Sequence, residues 1–510
     1  MQGTTHRRLP PTLWLGLLSA TLLAACGGST ATPAGAAATN TAGTKPNVVI
    51  MFADDLGYGD LGSFGHPYIR TPNIDTLAAE GQRWTDFYVA APVCSPSRAA
   101  LLTGRLPVRS GLYGNAIRVF FPDEPGGFPE SEVTLAEALK EHGYATGMFG
   151  KWHLGDAPHA LPTRHGFDEW VGVPYSNDMN WVGEPDFEAL VKLNMSGDLE
   201  QRAAIYARRA AKYAAPQKEH FEAPLFFSKV TSDGFEDSVE QPTDQTLLTQ
   251  RATSAAIDFI QRHADEPFFL YLPYSMPHTP LFRSEAFAGR SLGGRYGDVV
   301  EEIDASVGAV RDALAQADVL ENTLIVFTSD NGPWLTYAPE HAGTAKPLRG
   351  GKGQTFEGGM RVMTFFSGPD IEPGRVTELG MDTDIYNTFM GLAGLESQAT
   401  AVDSYDLSAT LISQTPSPRK FVPFFRNSTL RAFRYQDHKL HFITNQVFLG
   451  PTTTHQPPLL IDLKNDIGET TDIAGQHPET LAEIQRQVAQ FRLATPIAPS
   501  IFDLQKGPQQ

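Results

Sequence analysis

The segment VCSPSRAALLTGR, residues 93 to 105, places one of only two cysteines in 510 residues two positions before a proline and four before an arginine. Pro96 suits the first turn of a helix and Arg98 to Leu102 continue it, so Cys94 is predicted at or beside a helix N-terminus. Backbone N–H groups there attract negative charge, and Arg98 falls on the same face, so the local environment binds anions. Other ionisable residues follow apolar runs: Asp54 and Asp55 after NVVIMFA, Lys151 and His153 after YATGMFG, His278 after PFFLYLPYSMP, Asp330 and Asn331 after TLIVFTS. Carboxylate and amide oxygens are hard donors, so Asp54, Asp55, Asp330 and Asn331 suit Ca²⁺ or Mg²⁺ far better than a thiophilic metal. Singly, each residue has a plainer reading. An Asp pair caps a helix or turn, His278 between two prolines binds backbone, Lys352 in RGGKG is a solvated loop lysine, and a lone cysteine is a small buried hydrophobe. Those readings do not explain why the residues recur at strand ends in step with the Cys-x-Pro-x-Arg spacing.

The elements that would gather them are legible. Short apolar β runs that pass into polar ends, at 47 to 55, 144 to 155, 267 to 278 and 323 to 332, alternate with helical signals in NIDTLAAEG, in TLAEALKEHG and at 298 to 317. Thr134 and Glu137 form a capping box, with Gly143 as the stop. This alternation predicts an α/β fold: a large doubly wound, mostly parallel sheet flanked by helices. Ligands bind at the carboxyl ends of such strands, so residues far apart in sequence should meet at one rim. From about residue 425, RAFRYQDHKLHFITN and LLIDLKND followed by a helix near 478 to 493 predict a smaller C-terminal antiparallel sheet plus helix. Residues 178 to 245 fit no pattern and read as an insertion.

The formal net charge of −18 disfavours a nucleic-acid partner. His6, Arg7 and Arg8 precede LWLGLLSATLLAA, an apolar run of 13 residues, too short to span a bilayer and suited to an export signal. It ends Leu23-Ala24-Ala25-Cys26, similar to a bacterial lipoprotein signal in which the cysteine is acylated; an ordinary secretory peptide is the alternative, and Arg7-Arg8 leaves Sec and twin-arginine export both open. Residues 1–25 are then the signal and 26–45 a flexible tether of small polar residues. This predicts an exported protein, periplasmic or at the cell surface, anchored to a bacterial membrane through lipidated Cys26. An acylated Cys26 on a tether is a poor disulfide partner, which leaves Cys94 needing burial or chemistry to explain it.

Cys-x-Pro-x-Arg followed by Leu102-Thr103-Gly104-Arg105 closely resembles the signature of type I sulfatases, the formylglycine-dependent arylsulfatase family of the alkaline-phosphatase-like superfamily. Asp54-Asp55, Lys151-x-His153, His278, Asp330-Asn331 and Lys352 stand in the family's order, and the likeness runs over roughly residues 46 to 480. The resemblance implies that Cys94 is converted to formylglycine by a formylglycine-generating enzyme. Its hydrate offers one hydroxyl to attack sulfur and a second whose deprotonation expels sulfate. His153 is implied as the base for that expulsion, Arg98 and Lys151 as holders of the formylglycine, and His278 and Lys352 as sulfate contacts and proton donors to the leaving oxygen. Ser176, in GVPYSND, is implied as a further sulfate contact, and Ca²⁺ as the metal, held by Asp54, Asp55, Asp330, Asn331 and the modified Cys94. One departure is Met363, where the family's Glu-Gly-Gly-x-Arg-Val stretch, here Glu357 to Val362, would continue with proline. The implied organisation is a catalytic domain at 46–424, with its insertion, and a C-terminal α+β subdomain at 425–510.

The expected activity is hydrolysis of sulfate monoesters on sulfated carbohydrates. Two alternatives remain: a phosphonate monoester or phosphodiester hydrolase on the same scaffold, or a lipoprotein that binds sulfated glycans without turnover when Cys94 is not matured.

Overall fold

The computed structural model describes residues 45–504, apart from 116–117, 186–188, 190–192, 194–197, 336–340, 399 and 449. The expected signal segment, Cys26 and all of the tether except Lys45 lie outside the described residues. Among the described residues no helix is long and apolar enough to cross a membrane.

Eleven strands form the main sheet: β1 (Asn47–Ala53), β2 (Gln82–Tyr88), β3 (Ala145–Phe149), β4 (Glu169–Gly172), β5 (Leu225–Thr231), β6 (Gly234–Glu240), β7 (Phe268–Pro273), β8 (Thr323–Ser329), β9 (Arg361–Ser367), β10 (Gly374–Val376) and β11 (Gly380–Met381). Their order is β10-β2-β9-β8-β1-β7-β3-β4-β5-β6, with β11 also on β2. The central block β8-β1-β7-β3-β4 is parallel throughout, with Ile50 opposite both Tyr271 and Val326. Strand β9 runs antiparallel between β8 and β2, so its first residues lie at the rim where the parallel strands end.

Period-two alternation sends the side chains of β1 to opposite faces. Val48, Ile50 and Phe52 enter one core, with Ala99 to Leu102, Tyr386 and Phe389; Val49, Met51 and Ala53 enter the other, with Leu77, Phe259 and Val307. Helix α1 (Pro72–Glu80) and helices Leu248–Arg262 and Gly294–Gln316 supply the second face, whereas α2 (Cys94–Thr103) and helix Leu135–Lys140 supply the first. The capping box of the last forms as expected, with both Thr134–Glu137 bonds present at 2.7 and 3.0 Å. Met363, the departure in β9, is wholly buried in the second core.

The latter part of the 178–245 stretch is built into the sheet: β5 pairs antiparallel with β4, and β6 with β5, extending one edge. The smaller sheet has the order β12 (Phe421–Arg426), β13 (Thr429–Tyr435), β14 (His438–Asn445) and β15 (Thr452–Asp462), followed by helix Pro478–Ala494. Pro423 sits in β12, which is tolerated because β12 is an edge strand. Val422, Phe424 and Phe433 join the same core as α2, so the described residues form one compact unit.

A buried ion cluster stitches the small sheet to the main one. Lys439 donates to Glu357 and Glu469, each at 2.9 Å, and His441 lies 2.7 Å from Glu469. Burial raises the Glu357 carboxyl, but Lys439, Arg361 and Arg434 outweigh it and hold it at about 2. Its folded value lies below its unfolded one, so this stabilisation is present above about pH 4.5 and is lost as pH falls toward 2. Removing one member of a buried pair strands the other charge. Lys439→Met is therefore expected to cost about 3–5 kcal/mol at pH 7. The deficit should shrink near pH 4, where a less restrained Glu357 protonates, and denaturant unfolding of both proteins at the two pH values checks this.

Candidate active site

Four adjacent parallel strands deliver the rim residues. Beyond β1 the chain turns sharply, with Asp55 at a φ of 65°. That left-handed turn is held by the Asp55 N–H, which donates to Asp330 Oδ1 at 3.1 Å, while Asp330 N–H donates to the Ala53 carbonyl at 3.1 Å. Lys151 and His153 follow β3, their N–H groups bound to the carbonyls of Pro273 (2.7 Å) and Pro174 (3.0 Å). The Lys352 loop is tied to Pro333 by its own N–H (2.9 Å) and to Pro92, just before Cys94, through Gly353 N–H (2.7 Å). Cys94 is the first residue of α2, with Val93 as its extended N-cap.

Three carboxylates face three cations in this buried space. Asp54 takes Lys151 Nζ at 2.5 Å on one oxygen and has Cys94 Sγ at 3.5 Å and Arg98 Nη2 at 3.6 Å on the other. Asp55 accepts from Asn331 Nδ2 (2.7 Å) and Lys352 Nζ (2.7 Å), with His278 Nε2 at 3.7 Å. Asp330 accepts from Arg98 at 3.1 and 2.7 Å. Ser176 Oγ accepts from Lys151 at 2.9 Å. Every rim residue expected from the sequence is therefore in one cluster. Arg98, however, makes its hydrogen bonds to Asp330 and the Lys151 carbonyl, and acts on Cys94 through charge.

Burial sets the protonation states, corrected by neighbours. Burial raises Asp54, but Lys151, His278, Arg98 and Lys352 outweigh it and hold the carboxyl well below its usual range. Burial, and then repulsion from Asp54, push Asp330 up to about 7 against Arg98 and Lys151. Burial depresses Lys352, yet Asp55 and the neighbouring anions hold the ammonium above its usual value. The Cys94 thiol is pushed up by burial despite Lys151 and Lys352, so as a plain thiol it is a poor nucleophile.

The two histidines are held in opposite tautomers. His153 Nε2 is 3.1 Å from the Phe120 carbonyl, which can only accept, so Nδ1 is left as a buried proton acceptor with no partner among the described residues. Burial, with Lys151 and Arg98, holds His153 neutral, as a base requires. His278 Nδ1 donates to the Thr279 carbonyl at 2.6 Å, which leaves Nε2 to accept. In this arrangement the protonated Lys352 is the better acid.

A group of buried side chains is placed to hold a metal ion, and its carboxylates suit a hard divalent cation. Asp54, Asp55, Cys94 and His278 each bring one donor atom within 4.8 Å of the others. Asn331 Oδ1 is buried without a hydrogen-bond partner among the described residues, and an acceptor left bare in a carboxylate cluster suits a cation.

Strand order and the cluster at the strand ends together define the class, an alkaline-phosphatase-like α/β hydrolase. Family models match in two places: Sulfatase over residues 46–395 and C-terminal region of aryl-sulfatase over residues 417–509. Arylsulfatase A of Bos taurus is 38% identical over 476 residues, covering 89% of this chain and 88% of its own. N-acetylgalactosamine-6-sulfatase of Homo sapiens is 37% identical over 489 residues, covering 89% of this chain and 87% of its own. The solved PsFucS1 sulfatase from Pseudoalteromonas sp. superposes with a TM-score of 0.73 at 29% identity, over 89% of this chain and 92% of that one. The chain belongs to the sulfatase family and is a sulfatase enzyme.

Type and spacing do not single out two further residues beside the cluster. The Trp334 ring lies 5.3 Å from the His278 ring, with Lys352 Nζ 4.7 Å from its centroid. Asp178 accepts from Tyr213 at 2.7 Å and feels both Lys352 and Lys151. Trp334 follows Asp330-Asn331 by only a few residues, and Asp178 lies two past Ser176, so nearness to identified residues was the available signal.

Proposed function

We propose that this sulfatase cleaves sulfate monoesters of carbohydrates through a formylglycine made from Cys94 by a formylglycine-generating enzyme. The observation that carries this is Cys94 itself, buried at the first position of α2, 3.5 Å from Asp54 and among the charged rim residues, with burial pushing its thiol up. Formylglycine supplies, as its hydrate, an oxygen nucleophile and a second hydroxyl whose deprotonation frees sulfate. A divalent cation, Ca²⁺ in preference to Mg²⁺, would be held by Asp54, Asp55, Asp330, Asn331 and the modified Cys94 and would supply Lewis-acid stabilisation of the ester oxygens.

The chain's own residues do the rest. Lys151 and Lys352 hold the anionic ester, with Ser176 and His278 beside it, and water is excluded by burial. Lys352 donates a proton to the departing alcohol oxygen. His153 Nδ1 accepts the proton whose loss releases sulfate, and Arg98 holds Asp330 in place and favours its charged form. Residues 46–424 carry this chemistry, the 178–245 stretch and residues 425–510 shape the approach to it, and residues 1–45 export and tether the enzyme outside the cytoplasm through Cys26.

Intact mass of the peptide spanning Cys94 is the test. Maturation should remove the mass of H₂S and add one oxygen, in proportion to sulfate release. Full activity in protein whose Cys94 remains a thiol would overturn the proposal. Parallel assays on nitrophenyl sulfate and nitrophenyl phosphonate should favour the sulfate.

A further inference from the structure

The buried arginines Arg98, Arg361 and Arg419 sit against carboxylates, on Asp330, Asp86 and Asp384. Arg118 and Arg426 instead share an aromatic ring. Their guanidinium carbons lie over Phe448 at 5.1 and 5.7 Å from its centroid, and Arg426 Nη2 donates to the Phe448 carbonyl at 2.6 Å. Burial, followed by Arg431 and Arg118, pushes Arg426 down to about 10, so the charges acting on it share its sign. Arg118 is lowered by burial, opposed by the Tyr206 hydroxyl. Arg431 donates to Asn445 Oδ1 at 3.3 Å while its Nε is buried without a partner among the described residues. In a chain of net charge −18, three neighbouring guanidiniums with no carboxylate ion pair among the described residues form an unfavourable group until an anion joins them.

The ring beneath Arg118 and Arg426 leads back to the rim. Phe448 packs on Gly353, where an added Cβ would come within 1.7 Å of the ring, and Gly353 follows Lys352. The Phe448 ring centroid is also 6.1 Å from that of Trp334, the ring that stands against His278 and Lys352. Arg118, Arg426, Arg431 and Phe448 are all half-buried, so solutes can reach them. Paired guanidiniums suit sulfate and carboxylate groups, which accept two parallel hydrogen bonds.

Building on the sulfatase reading, we propose that Arg118 and Arg426, with Arg431 alongside, bind a second anionic group of the substrate. The site then takes an oligosaccharide bearing a further sulfate or carboxylate near the scissile ester, with Trp334 and Phe448 lining the path between the two anions.

The test uses matured enzyme and three substrates: a disulfated disaccharide, a monosulfated disaccharide with a uronate, and nitrophenyl sulfate. In Arg118→Gln and Arg426→Gln, kcat/KM for a dianionic disaccharide relative to nitrophenyl sulfate should fall tenfold or more, about 1.4 kcal/mol, mainly through KM. Arg426→Lys should recover part of the loss. The dianion with the larger fall identifies sulfate or carboxylate as the anion held. An unchanged ratio for both dianions overturns the proposal. Arg426 lies in β12 whereas Arg118 lies outside any helix or strand, so Arg118→Gln decides if the Arg426 variants do not fold. If the parent releases no sulfate from any of the three, the sulfatase reading fails. Calorimetric binding of the disaccharides then judges this site: affinity for a dianion lost in Arg118→Gln supports it, and equal affinity overturns it.

Discussion

Cys94→Ala is expected to lower kcat for sulfate esters by ~10⁴-fold or more, because it removes the proposed nucleophile while leaving the charged cluster in place. The fold should survive. Cys94 is buried, but losing one sulfur from a small side chain costs only about 1 kcal/mol. Asp54, 3.5 Å from Sγ, keeps its bond to Lys151. Sulfate release measured beside a thermal unfolding curve separates the two effects. Turnover within tenfold of the parent would refute the nucleophile assignment, and collapse of the fold would refute its placement as a removable side chain.

Asp330→Ala is expected to abolish activity and bound divalent metal together. Asp330 links three parts of the site, since its oxygens accept from the Asp55 N–H and twice from Arg98. Its loss frees the Asp55 turn and leaves Arg98 wholly buried without its closest partner, so about 3–5 kcal/mol of stability should go as well. Asp330→Asn separates metal binding from folding: it keeps the shape and an acceptor for Arg98 but removes the charge that attracts a dication. Metal content by elemental analysis, with activity titrated against added Ca²⁺ and Mg²⁺, tests both variants. Full activity in Asp330→Asn without bound metal would contradict the ligand set.

Strands β1, β7 and β8 were legible because parallel strands buried on both faces read as unbroken apolar runs. The 178–245 stretch was not, because β6 is exposed along most of its length and β5 is only partly buried, so neither shows such a run. The small sheet was read from about residue 425, whereas β12 begins at Phe421, where Pro423 argues against a strand unless it lies at an edge.

Residue type and spacing alone determined the family, the rim residues and the hardness of the donor set, since these depend on chemistry that each side chain carries wherever it sits. Tertiary structure decided what each side chain faces. It gave Arg98 to Asp330, set opposite tautomers on His153 and His278, and brought Arg118 from a distant part of the chain to share the Phe448 ring with Arg426. Contact partners, burial and local field depend on distances across the fold, and no local stretch of sequence encodes those.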